Sequence, residues 1–230
     1  MAKSARTFAI GDSVFGESGL RFGANASHIC LEEEALLLKK PDNLSHAEAC
    51  TLCDGPLTSL HFLTRVALLQ PGTKLLVLGG SGSLGSAAIQ IARHLGAEVT
   101  ATCSHRNTEV VSNLGAQHVI DYTCTDIAGT AQTYDVIYDT LGYSSYGRLR
   151  RNLSATVRYI CPVLSGKLLC AALATGLLSR RKAQFSAAGM QPMGELRELL
   201  AQVLILTRSR VLTPLMDRSY PLADLIAAHR

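Results

Sequence analysis

Three glycines of the run Gly79-Gly80-Ser81-Gly82-Ser83-Leu84-Gly85 fall in the spacing G-x-G-x-x-G, between an apolar stretch, Lys74–Leu78, and a helical one, Ser86–Leu95. That arrangement suits a pyrophosphate. Gly80 is expected to permit the tight turn, Gly82 to let the backbone approach the phosphates, and Gly85 to let the helix pack closely on the strand. The helix start then offers free N–H groups and a partial positive charge. All six residues from Gly80 to Gly85, Ser81 included, are candidate dinucleotide contacts. A second strand, Glu98–Thr102, runs into Cys103-Ser104-His105-Arg106-Asn107. An Asp or Glu at this strand end would hold the ribose 2′-OH and repel a 2′-phosphate. None is present. Ser104 can donate to a phosphate and Arg106 can supply a bidentate cation, so the stretch points to NADP(H). The missing acid also counts against a methyltransferase that binds S-adenosylmethionine.

The other reactive residues form no second site. Cys50-Thr51-Leu52-Cys53 is a CxxC, but no second CxxC or paired histidines accompany it, and its apolar helical setting predicts two core thiols. No metal is expected. A short-chain dehydrogenase would need Tyr-x-x-x-Lys; Tyr143 is followed by Gly147 and Tyr146 by Arg150, so neither fits. His61 and Tyr143 fall near pocket-forming segments, with core or surface roles expected for both. No residue is assigned as a catalytic acid. Arg148–Arg151 and Arg180–Lys182 read as solvated helix ends, because no aromatic residues are interleaved for nucleic-acid stacking.

The elements around the glycine turn must be those of a globular α/β chain. Its 230 residues are 47% hydrophobic and 17% charged, with a net charge of +4. No apolar run reaches the ~18 residues of a membrane span, and Leu168–Leu178 reads as a buried helix. The N-terminus shows no apolar secretory core, and seven cysteines at irregular spacing suit reduced thiols, which together predict a cytoplasmic or organelle-matrix setting. After Glu98–Thr102, a helix is expected at Thr108–Leu114. Strands follow at His118–Ile120, Tyr134–Tyr138 and Thr156–Cys161. Alternation of this kind implies right-handed crossovers and a doubly wound parallel sheet with helices on both faces. The flanks break the alternation. Residues 7–40 hold short strand-like pieces, and no helical period begins before about Ser45. After Met193 come a helix, a strand at Leu212–Met216 and a short helix beyond Pro221. Three units follow: 1–44, 45–185 and 186–230.

The ordered motifs resemble the zinc-free quinone oxidoreductases of the medium-chain dehydrogenase/reductase superfamily. They are Gly11-Asp12-Ser13-Val14-Phe15-Gly16, Leu69-Gln70-Pro71-Gly72, the glycine turn, Leu114-Gly115-Ala116-Gln117-His118-Val119-Ile120-Asp121-Tyr122, Tyr134–Asp139 and Ser219-Tyr220-Pro221-Leu222. The resemblance implies a Rossmann domain at 45–185 and a GroES-like catalytic domain built from 1–44 and 186–230. It places Thr58 near the nicotinamide and the backbone of Ser83 and Leu84 on the pyrophosphate. It sets Ser104 at the 2′-phosphate, Tyr122 by the adenosine, and Asp139, Thr140 and Leu141 beside the nicotinamide ribose. The implied reaction is zinc-independent hydride transfer from NADPH to a quinone or an activated C=C bond, in a homodimer paired through the sheet edge. Val157 and Cys53 depart from the family pattern, where glycine and proline are common. Only ten residues precede Gly11, and the chain stops at Arg230, so the expectation is a member lacking the first part of its catalytic domain and its final strand. A truncated, non-catalytic NADPH-binding or interaction protein is the alternative.

Overall fold

The computed structural model describes residues 7–19, 22–176 and 181–228. Strands β1 (Val14–Glu17) and β2 (Leu36–Lys39) form an antiparallel ribbon. Helices α1 (His46–Thr51) and α2 (Asp54–His61) follow, and then β3 (Lys74–Leu78), α3 (Ser83–His94), β4 (Glu98–Cys103), α4 (Thr108–Asn113) and β5 (His118–Asp121). Beyond them lie β6 (Tyr134–Asp139), α5 (Tyr146–Leu149), β7 (Leu153–Cys161), α6 (Gly166–Gly176), β8 (Arg181–Phe185), α7 (Met193–Arg208) and α8 (Leu225–Ala228). Among the described residues, β3 to β8 make one parallel sheet in the order β5-β4-β3-β6-β7-β8. The expected doubly wound sheet is therefore present. Its order reverses between β3 and β6, and ligands of such sheets bind outside the strand ends at that point.

Burial on both faces explains why the middle of β3 and of β6 is apolar. Leu75 and Val77 of β3, with Val136 and Tyr138 of β6, face a core filled by α2, α3 and α7. Leu76 and Ile137 point the other way, against Tyr159, Cys161 and Leu168. Strands buried on both sides lose the polar alternation of a half-exposed strand. The helix expected from about Ser45 starts there: the Ser45 hydroxyl accepts from the Glu48 N–H at 3.2 Å, and the Glu48 carboxylate accepts from the Ser45 N–H at 2.8 Å. This reciprocal cap satisfies two N–H groups at a helix start.

Five expectations are corrected. Arg181 and Lys182, expected at a solvated helix end, instead open β8, which pairs with β7 at the edge of the sheet, where charged residues are tolerated. The Leu212–Met216 stretch is not a strand. Pro214 has no N–H to give to a ladder, and the stretch is tethered instead by a side chain: Gln90 accepts from the Thr213 N–H at 2.9 Å and donates to the Thr213 carbonyl at 3.3 Å. The helix expected to be buried at Leu168–Leu178 is α6, which buries Leu168 but leaves Leu169 and Leu173 52% and 71% exposed. The CxxC straddles the joint between α1 and α2, so only Cys53 is a core thiol, while Cys50 is exposed. Burial pushes the Cys53 thiol up to about 12. Finally, β7 begins at Leu153 and α3 at Ser83, each three residues before the expected start. Leu177, Leu178, Arg180, Arg230 and residues 1–6 lie outside the described residues.

His61 closes α2, which continues as a π turn over Phe62–Val66. Its ring is 5% exposed and sits 2.8 Å from the Ser186 hydroxyl through Nε2, while Nδ1 is buried with no partner among the described residues. Burial holds its pKa below the ordinary histidine value, with Arg65 acting in the same direction and Glu195 against it. The unfolded chain thus takes up this proton before the folded one does. Stability contributed by neutral His61 is complete above about pH 6.5 and falls as pH drops from there through the lower folded-state pKa. Thermal melts across that range should show this loss in the native chain and a flatter profile in His61→Asn.

Candidate dinucleotide-binding site

The turn leaving β3 is shaped by two approaches that no side chain at these positions would permit. Gly79, not Gly80, takes the left-handed conformation, with φ +82. Gly80 instead lies over β4, where a Cβ would come within 2.9 Å of the Ala101 Cβ. At Gly85 a Cβ would stand 2.1 Å from the Gly79 carbonyl oxygen, so the first turn of α3 rests directly on the end of β3. Gly82 precedes α3 and is exposed, and no side chain caps the helix. The first N–H groups of a helix have no partner within it. Here they face outward with the positive end of a helix of 12 residues behind them.

Helix α2 braces the same turn. Gly55 meets the first residue of α3 so closely that a Cβ would lie 2.1 Å from the Ser83 hydroxyl, and the Ser59 hydroxyl donates to the Leu84 carbonyl at 2.8 Å. Thr58 lies on α2 and is buried.

The strand ends are tied to one another across the reversal of the sheet. The Gly79 N–H donates to the Thr102 hydroxyl at 3.2 Å, and the Gly80 N–H to the Thr102 carbonyl at 2.7 Å. Past β4, Ser104 is half-buried and Arg106 exposed, in a single turn of 3-10 helix. The Asn107 amide donates to the Ser81 hydroxyl at 3.0 Å, which fastens this loop to the glycine turn. His105 stands 3.6 Å from Asp121 at the end of β5. Hydrogen bonds from Thr123 hold the Asp121 carboxyl below the usual carboxylate range. At the end of β6, the Thr140 hydroxyl donates to the Leu78 carbonyl at 2.7 Å. Asp139 is buried and its carboxylate is fully engaged. It accepts from the N–H groups of Leu141, Gly142 and Ser144 at 3.2, 2.8 and 3.0 Å, and from the Tyr159 hydroxyl at 2.6 Å. Burial and the neighbouring Asp139 push the Tyr159 pKa well up, so this phenol keeps its proton.

A cavity of about 600 Å3 opens outside these strand ends, within the size range of small-molecule sites. Gly79, Thr102, Tyr122, Asp139, Leu141 and Tyr143 contribute to its wall. Of the residues singled out in the sequence, Tyr122, Asp139 and Leu141 meet there, while Thr58, Thr140, Ser104, Arg106 and the whole Gly80–Gly85 turn lie off that wall. Tyr143 forms part of the rim and His61 takes no part. Gly55, Thr102 and Asn107 were missed; only Asn107, adjoining the Ser104–Arg106 stretch, carried a readable signal. An exposed glycine before an uncapped helix, beside a cavity of this size, fits a pyrophosphate-containing ligand. Among the described residues, no three His, Cys, Asp or Glu side chains come together as a metal site would require.

A family model described as zinc-binding dehydrogenase matches residues 114–230. The chain belongs to the zinc-binding dehydrogenase family. Within it, the resemblance to quinone oxidoreductases of the medium-chain superfamily holds. The chain is 38% identical over 141 residues to a 2-methylene-furan-3-one reductase of Solanum lycopersicum, a match covering 57% of the chain and 36% of that protein. It is also 38% identical over 128 residues to a chloroplastic NADPH-dependent alkenal/one oxidoreductase of Arabidopsis thaliana, covering 55% and 33%. The solved quinone oxidoreductase of Coxiella burnetii superposes with a TM-score of 0.83 at 25% identity, over 97% of this chain and 69% of that one. The chain thus spans about a third of the length of these two curated relatives.

Gly85→Ala should lower unfolding free energy by about 3 kcal/mol, because the new methyl meets backbone that cannot retreat. Asn107→Ala should cost about 1 kcal/mol. Urea unfolding of both variants checks the order.

Proposed function

We propose that this family member binds NADPH across the cleft and serves its transfer of hydride to a quinone or an activated C=C bond. The observation that carries the reading is the pairing of two features: an uncapped helix start at Ser83, and a carboxylate-free loop at Ser104–Arg106 that Asn107 fastens to Ser81. The first suits the pyrophosphate, met by the N–H groups of Ser83 and Leu84 with Gly80, Ser81, Gly82 and Gly85 shaping the approach. The second suits a 2′-phosphate, met by Ser104 and Arg106. Tyr122 covers the adenosine side. The backbone of Asp139, Thr140 and Leu141 borders the nicotinamide ribose, and Thr58 completes the nicotinamide end from α2. Asp139 acts through the loop it holds, since its oxygens are already occupied.

The bound dinucleotide supplies the hydride; the chain orients it and shields it from water. Solvent delivers the balancing proton, since no side chain of the cleft is assigned as an acid. The reading is zinc-independent. The names of the relatives support the acceptor class: one reduces a furanone with an exocyclic methylene, the other alkenals and alkenones. We further assign 45–185 to cofactor binding and 1–44 with 186–230 to the substrate side. In this reading the protein is cytoplasmic and a homodimer, paired through the β8 edge. No described helix is long and apolar enough to cross a membrane.

Purified chain mixed with NADPH and either 1,4-benzoquinone or but-3-en-2-one should consume nicotinamide absorbance only when acceptor is present. Arg106→Glu should raise the KM for NADPH at least about tenfold with kcat little changed, as expected for loss of a bidentate cation. Binding without turnover would leave the non-catalytic alternative.

A further inference from the structure

A second cleft, of about 660 Å3, lies at the far end of α3 from its phosphate-facing start. Arg93 and His94 come from the last turn of α3, Leu114 from the end of α4, and Arg210 and Leu215 from the stretch after α7. Its wall contains two arginines and a histidine, and no Asp or Glu. Among the described residues, none of the three basic side chains makes an ion pair.

Backbone geometry sets two of these cations in place. Gly115, with φ +110, stands where a Cβ would be 2.4 Å from the Arg93 Cδ, so Arg93 lies flat across the end of α4. Arg210 adopts φ +58, and the Val211 N–H closes the end of α7 on the Leu206 carbonyl at 2.9 Å. A glycine would take that conformation freely, whereas a residue with a Cβ is strained there. The stretch carrying Arg210 cannot drift, because Gln90 holds Thr213 through both its N–H and its carbonyl. The same wall carries the apolar Val110, Val211, Leu114 and Leu215 together with the neutral polar Gln90, Asn113 and Thr213. Charge of one sign in a wall that also offers apolar side chains is the complement of an amphiphilic anion.

We propose that this cleft binds a small amphiphile with a phosphate or carboxylate head and an apolar arm. Arg93 and Arg210 hold the head, and Leu114 and Leu215 receive the arm. The site is separate from the dinucleotide cleft and does not depend on how that cleft is used.

Isothermal titration with octyl phosphate, nonanoate, octanol and inorganic phosphate tests the proposal, each with and without saturating NADPH. At least one of the two amphiphilic anions should bind saturably, about tenfold or more tighter than octanol and than inorganic phosphate, and NADPH should not displace it. The better of the two identifies the head group. Arg93→Gln/Arg210→Gln should weaken that binding at least about tenfold. Arg210→Gly should also weaken it while holding or raising the melting temperature, which separates loss of the site from loss of the fold. Equal binding of octanol, displacement by NADPH, or unchanged affinity in the folded Arg210→Gly variant would overturn the proposal.

Discussion

The contact between Gly85 and the Gly79 carbonyl governs the architecture of the site. A Cβ at 85 would stand 2.1 Å from that oxygen, so only glycine lets α3 start so close to the end of β3. That closeness decides where the N-terminus of α3 points. The turn is also compressed from outside by Gly55 on α2, which meets Ser83 just as tightly. Two glycines on different elements thus place one helix start between them.

Around this point polar side chains tie the strand ends together in addition to the ladder hydrogen bonds. Thr102 receives the Gly79 N–H, Thr140 donates to Leu78, and Asn107 donates to Ser81. Asp139 gathers three N–H groups of its own loop together with the Tyr159 hydroxyl. Buried polar groups that are fully satisfied make a site rigid, whereas partly satisfied ones weaken it. The cleft is thereby formed before any ligand arrives, which lowers the entropy cost of binding.

Much of this was legible in the residues, and the rest was hidden for identifiable reasons. The central strands of the parallel sheet stood out because burial on both faces makes them apolar, as in Leu75, Leu76 and Val77, whereas the edge strand β8, opening on Arg181 and Lys182, gave no such signal. The glycine spacing located the turn and set Gly80 at its tight point, but did not show that Gly79 takes the left-handed conformation. Local spacing does not say which of two adjacent glycines meets a neighbouring strand. Gly55 and the Gln90–Thr213 tether were invisible because both depend on elements far apart in the chain. The apolar run Leu212–Met216 looked like a strand, but Pro214 and the lack of a partner strand decided otherwise. Cys50 and Leu173 show the same limit: apolar sequence marks what can be buried, and tertiary packing decides what is.

The central claim is that the uncapped start of α3 and the Ser104–Arg106 loop form one site for a dinucleotide bearing a 2′-phosphate. The most direct test is the dissociation constant of NADPH against that of NADH, both measured by nicotinamide fluorescence on the same folded chain. The account expects NADPH to bind at least about tenfold more tightly, with the difference shrinking as salt screens the exposed Arg106. Equal affinities, or no binding of either by a chain shown to be folded, would contradict it.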